Sequence, residues 1–201
     1  MAKINNKNIF PKWKTKFGLF ALACIGSLIL YNTEEEKVQT SPILQNTVFV
    51  NPEVNVITIE DLIDKQSFEC LIRNAYYEAR NQTEEAIIGV TQVALNRWND
   101  DRYPDDICNV IKQSKYDSFG NIILGQCQFS WYCDGKSDRP KELQTVIRIS
   151  GIVEKAAVMW YLNMDITNGA THYHANYVKP SWSYKLAYTK KIGDHLFYRW
   201  N

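Results

Sequence analysis

Between residues 57 and 201 the apolar positions recur mostly with helical spacing. Phe68, Leu71, Ile72, Ala75 and Ala79 fall at i, i+3, i+4, i+7 and i+11, which predicts one buried helix face. Ala86, Val90, Val93, Ala94 and Arg97 trace the edge of a second helix, and Ile87 and Leu95 broaden its apolar side. Thr83 is the expected N-cap of that helix, with Glu84 and Glu85 in a first turn whose dipole favours acids. Tyr103-Pro104-Asp105-Asp106 opens a short helix that buries Ile107, Val110 and Ile111, with proline near the first helical position. Pro140 to Met164 predicts a third long helix, interrupted at Ser150-Gly151. Residues 115–139 hold Gly120, Gly125 and Gly135 among aromatics and read as a loop or small hairpin. The chain then reads as irregular to Pro180, and residues 184–200 predict a two-stranded element turning at Gly193-Asp194. The expectation is an α+β domain, mainly helical with a small β element.

The first 56 residues have a different pattern. Lys3, Lys7, Lys12, Lys14 and Lys16 precede an uncharged run from Phe17 to Tyr31, and Glu34-Glu35-Glu36 follow it. A basic flank, an apolar core and an acidic exit describe an export signal. As a helix the run would be about 22 Å long, against roughly 30 Å of membrane hydrocarbon. No small-x-small cleavage site follows it, and Ala23-Cys24 matches a lipoprotein site only weakly. We read residues 1–31 as an uncleaved, weakly anchored signal, with cleavage as the alternative. Residues 32–56 mix Glu, Thr, Ser, Asn and Pro without periodicity and read as a tether that could extend roughly 80 Å. The domain of 57–201 would then be exported to the periplasm or cell wall, held at the inner membrane through residues 17–31.

Charge and cysteines narrow the function. The whole chain carries a formal net charge of +1. Removing the five lysines of the first 16 residues leaves 18 basic against 22 acidic side chains, about −4. A net-acidic body argues against nucleic acid as the main partner. Past the export segment four cysteines remain, Cys70, Cys108, Cys127 and Cys133. In an exported chain they predict two disulfides, with three connectivities open. Structural zinc is the alternative, but Cys127-x5-Cys133 lacks its tight pair spacing. Aromatics at 13% suit either a Tyr-rich core or sugar stacking.

Among chemistry-bearing residues, Glu78 lies about 80° off the centre of its helix stripe. A carboxyl on that shoulder can be partly desolvated, which raises its pKa and suits a general acid. The plainer reading is a solvated glutamate paired with Arg73 or Arg80. No serine-nucleophile elbow or phosphate-cradling loop occurs. His172-x-His174, with His195 at a distance, could supply metal ligands. A structural or substrate-contacting role is preferred for them, so no metal or cofactor is expected. A glycosidase usually needs two carboxyls, and none stands out as a partner for Glu78. Lytic transglycosylation needs only one: the same group protonates the glycosidic oxygen and then deprotonates the muramic acid 6-hydroxyl.

Leu71-Ile72-Arg73-Asn74-Ala75-Tyr76-Tyr77-Glu78-Ala79-Arg80, followed by Gly89-Val90-Thr91-Gln92-Val93-Ala94-Leu95-Asn96-Arg97, resembles the opening motif of SleB-type cell wall hydrolases. That family includes spore-cortex-lytic enzymes and phage lysis proteins. Later blocks continue the resemblance to about residue 199. They include Gln126-Cys127-Gln128-Phe129-Ser130-Trp131, Thr171-His172-Tyr173-His174-Ala175 and Ile192-Gly193-x-His195-x-Phe197-Tyr198. The resemblance implies a lysozyme-like fold and cleavage of the peptidoglycan glycan strand, with Glu78 as acid/base. Asn81 departs from the glycine usual after the E-A-R motif, and asparagine also tolerates a left-handed helix stop. Candidates for lining the sugar groove are Asn74, Gln92, Asn96, Gln128, Ser130, Trp131, His172, Tyr173 and His174. The alternatives are a hydrolytic muramidase, a metal-dependent amidase using His172 and His174, and a wall-binding module without turnover. A monomer is expected.

Overall fold

The structure, a computed structural model, describes residues 58–201. The expected signal and tether, residues 1–31 and 32–56, lie outside the described residues. A single turn, α1 (Ile59–Leu62), begins the domain, and Thr58 and Asp61 form a capping box at its start. Helix α2 (Lys65–Ala79) is capped by Asp64, which accepts from the Ser67 amide at 2.9 Å. Helix α3 (Glu84–Asn99) starts at Thr83, as its sequence requires, with Oγ1 accepting from the Ala86 amide at 3.3 Å. The short α4 (Ile107–Ile111) is capped by Asp106 in the same way.

Every residue of α3 from Ala86 to Leu95 is buried, so this helix is central and α2, α4 and α5 pack around it. The final helix, α5 (Leu143–Tyr161), differs from the expected one. It runs unbroken through Ser150-Gly151, because a mid-helix glycine costs only about 1 kcal/mol. The flanking Ile149, Ile152 and Val153 are buried in the common core, and their burial outweighs that cost.

Two antiparallel sheets complete the domain. Strands β1 (Ser114–Tyr116) and β2 (Ile122–Cys127) form the small hairpin expected within residues 115–139, followed by a 3-10 turn at Ser130–Cys133. Strands β3 (His172–Ala175), β4 (Ala187–Ile192) and β5 (His195–Arg199) make a three-stranded sheet in the order β3-β5-β4. The β4–β5 turn falls at Gly193, whose φ of +55° favours glycine. Strand β3 lies where the sequence reads as irregular. Four residues give too short a pattern to see, and the strand is defined by its pairing with β5, His172 opposite Tyr198 and Tyr173 opposite Phe197.

The four cysteines form two disulfides, Cys70–Cys108 and Cys127–Cys133. The first fastens α2 to α4; the second closes the loop around the 3-10 turn. Among the described residues no helix is long and apolar enough to cross a membrane.

Candidate active site

Helix α2 carries Asn74 and Glu78 one turn apart, at i and i+4, and therefore on one face. Strand β3 approaches that face. Side chains of a strand alternate, so Tyr173 points to the helices while His172 and His174 point the other way. The Tyr173 hydroxyl donates to Glu78 Oε2 at 3.0 Å. Its ring rests on His195 and Phe197, with centroids 5.2 and 5.7 Å away.

Burial raises the pKa of Glu78, while the Tyr173 hydrogen bond and the charge of Arg97 pull it back. The residue nevertheless keeps part of its surface in solvent, so the carboxyl is accessible. Burial and the adjacent carboxylate push the Tyr173 phenol well above its ordinary range, and it stays a donor. Among the described residues no other carboxylate contributes to the shift of Glu78.

Arg97 is a candidate-site residue that helical spacing did not single out. It sits on the apolar edge of α3 and is only 4% exposed. Its Nε donates to the Thr171 carbonyl at 2.6 Å, and its guanidinium lies over the rings of Phe129 and Tyr103. An arginine within a buried helix stripe was the available signal, since such a charge needs partners. Burial pulls its pKa down, yet a guanidinium stays charged at ordinary pH. Arg97 Nη1, Asn74 Nδ2 and His195 Nδ1 are buried without a hydrogen-bond partner. Leaving such groups unpaired costs roughly 1–3 kcal/mol each, which polar groups of a ligand would offset.

Beside α2 lies a cleft of about 480 Å³, lined by Tyr76, Tyr77, Arg80, Ser130, Trp131 and residues between 134 and 142. Tyr77 stacks on Trp131 at 4.9 Å, and Trp131 Nε1 donates to Asn74 Oδ1 at 3.0 Å. Thus Asn74 and Trp131 connect the cleft wall to the helix face that carries Glu78.

The sequence candidates divide into four groups. Asn74, Ser130, Trp131 and Tyr173 gather around Glu78 and the cleft. Gln92 and Asn96 point into the fold instead. Gln92 is fully buried; its Nε2 donates to the Met164 carbonyl and its Oε1 accepts from the Ile166 amide. Asn96 donates to Asp165, Thr167 and the Ala170 carbonyl and accepts from Trp160 Nε1. These two amides brace the segment leading into β3. Gln128 is exposed and follows β2. His172 and His174 lie on the outer sheet face with Trp182. Burial and nearby arginines lower the pKa of His172 to about 4. Both ring nitrogens of His174 are engaged, with the Ala175 carbonyl and the Tyr198 hydroxyl. His195 is on the opposite face, so the three imidazoles do not converge on one ligand position.

A family model described as Cell Wall Hydrolase matches residues 81–198. Glu78 stands three residues before the matched segment. Two solved structures are similar. One is the catalytic domain of the germination-specific lytic transglycosylase SleB from Bacillus anthracis, with 21% identity, 68% of this chain and 97% of that chain covered, and a TM-score of 0.49. The other is the catalytic domain of the Bacillus cereus SleB protein, with 23% identity, 67% and 91% coverage, and a TM-score of 0.46. No curated protein matches the chain.

Proposed function

Because the chain belongs to the cell wall hydrolase family, and is thus an enzyme acting on peptidoglycan, we propose that it cleaves the glycan strand between N-acetylmuramic acid and N-acetylglucosamine as a lytic transglycosylase. Glu78 is the single acid/base. The observation that carries this reading is a carboxyl whose pKa burial raises, hydrogen-bonded by Tyr173 and, among the described residues, without a second carboxylate acting on it.

In the first step Glu78 gives its proton to the bridging oxygen. The bond from that oxygen to the anomeric carbon of muramic acid breaks, and the N-acetylglucosamine side leaves with a new 4-hydroxyl. The Glu78 carboxylate then takes the proton of the muramic acid 6-hydroxyl as O6 closes on the anomeric carbon. The product is a 1,6-anhydro end, Glu78 is reprotonated, and no water is consumed. Arg97 and the Tyr173 hydroxyl limit how far burial raises Glu78, so the carboxylate is accessible for the second step. Asn74, Ser130 and Trp131 line the approach. The domain works in this reading as a lysozyme-like, monomeric enzyme, exported to the periplasm or wall and held to the inner membrane by residues 17–31.

Mass spectrometry of released muropeptides tests the proposal. Wild type should yield anhydro ends, one water lighter than hydrolysed ends; reducing muramic acid alone would assign a water-using muramidase. Glu78→Gln should lose roughly 10²–10⁴-fold in rate, and digestion at the wild-type rate would remove Glu78 from the chemistry. Release of free peptides from intact glycan would instead support an amidase.

A further inference from the structure

We propose that the cleft beside α2 is a binding site for the carboxylate-bearing peptide substituents of the glycan strand, so that the enzyme prefers strands whose stem carboxylates are free. This deepens the reading above and rests on it for the substrate. The wall of the cleft is largely aromatic, built from Tyr76, Tyr77 and Trp131, of which Tyr77 is the most exposed. Tyr76 meets Tyr77 edge-on at 5.1 Å and Tyr77 stacks on Trp131. The polar edges are already used, Tyr77 Oη by the Ser137 carbonyl and Trp131 Nε1 by Asn74. Such a wall suits a sugar face.

The rim has a different character. Arg80, Lys136, Arg139 and Lys141 line the cleft against two acids, Asp134 and Glu142. Lys136 pairs with Asp134 at 3.6 Å, and Glu142 accepts from Thr145. Arg80, Arg139 and Lys141 have no ion-pair partner among the described residues. Arg80 lies over the Tyr76 ring at 5.0 Å, at the junction of wall and rim. Three unpaired cations over an aromatic wall, in a chain whose body is net acidic, are placed for an anion attached to a sugar. The peptide stems of peptidoglycan, joined to muramic acid and carrying free carboxylates, have that form. Arg139 and Lys141 are exposed, so altering them should leave the fold intact.

The experiment compares kcat/KM on intact peptidoglycan strands with that on the same strands after carbodiimide amidation of their stem carboxylates, at low and at 0.5 M salt. Wild type should favour intact strands about tenfold at low salt, and the preference should shrink in high salt. In R139A/K141A the ratio should fall close to one. A wild-type ratio of one, or a double variant that keeps the wild-type ratio, would overturn the proposal. Binding of both strand types to Glu78→Gln, with and without R139A/K141A, separates this from the catalytic reading. If Glu78 is not the acid, the binding preference still reports on the cleft; if the cleft does not read carboxylates, that preference is absent whatever Glu78 does.

Discussion

At the scale of single residues, the proposed chemistry depends on opposed influences at one carboxyl. Burial raises Glu78, while Tyr173 and Arg97 lower it. Removing the Tyr173 hydroxyl with Tyr173→Phe takes away a bond to the charged form, so the Glu78 pKa should rise further. The alkaline limb of the pH–kcat/KM profile, where the acid loses its proton, should move to higher pH, with kcat reduced about tenfold. Glu78 also bears on stability. Its native pKa is raised, so between the unfolded and native values the native state binds more protons, and stability falls as pH rises through that window. Glu78→Gln, neutral throughout, should therefore melt higher than wild type above the window and show little difference near pH 4, as calorimetry at several pH values would read. Site residues and core residues were unequally legible here. Helical spacing was enough to put Glu78 on a shoulder, but neither spacing nor composition could pair it with a tyrosine 95 positions away. Gln92 and Asn96 illustrate the converse: polar residues on a helix look available until the segment that uses their amides is in place.

At the scale of elements, two helix glycines make opposite predictions. A methyl at Gly89 in α3 would come within 2.8 Å of the Phe197 ring of β5. Gly89→Ala should cost about 1–3 kcal/mol in urea unfolding, by forcing helix and sheet apart. Gly151 in α5 faces open space, and Gly151→Ala should add up to about 1 kcal/mol in the same measurement. The contrast explains what sequence could tell about the elements. The cap at Thr83, the Tyr103-Pro104-Asp105-Asp106 opening and the long apolar stripes are local signals, and the helices they announce are present. A glycine in a helix pattern is ambiguous without its neighbours: at 151 it suggested a break that does not occur, and at 89 it marks the closest approach of sheet to helix. The three-stranded sheet was half visible, because β4 and β5 share a turn while β3 joins them only through tertiary pairing.

At the scale of the whole molecule, the helices and the sheet share one small core extension formed by Ala86, Val93, Ala170, Ile192 and Phe197. Cys70–Cys108 secures the helical side across 38 residues. Replacing both cysteines by alanine should cost roughly 2–4 kcal/mol, measured as a lower urea midpoint. Two disulfides accord with action outside the reducing cytoplasm. The bond between Tyr173 and Glu78 spans these two parts, and it has a consequence for how the enzyme is made. During synthesis α2 emerges about a hundred residues before β3 does. Until the later strand arrives and docks, Glu78 lacks the hydrogen bond from Tyr173. In the proposed mechanism the acid/base and its tyrosine partner are therefore brought together only when β3 docks.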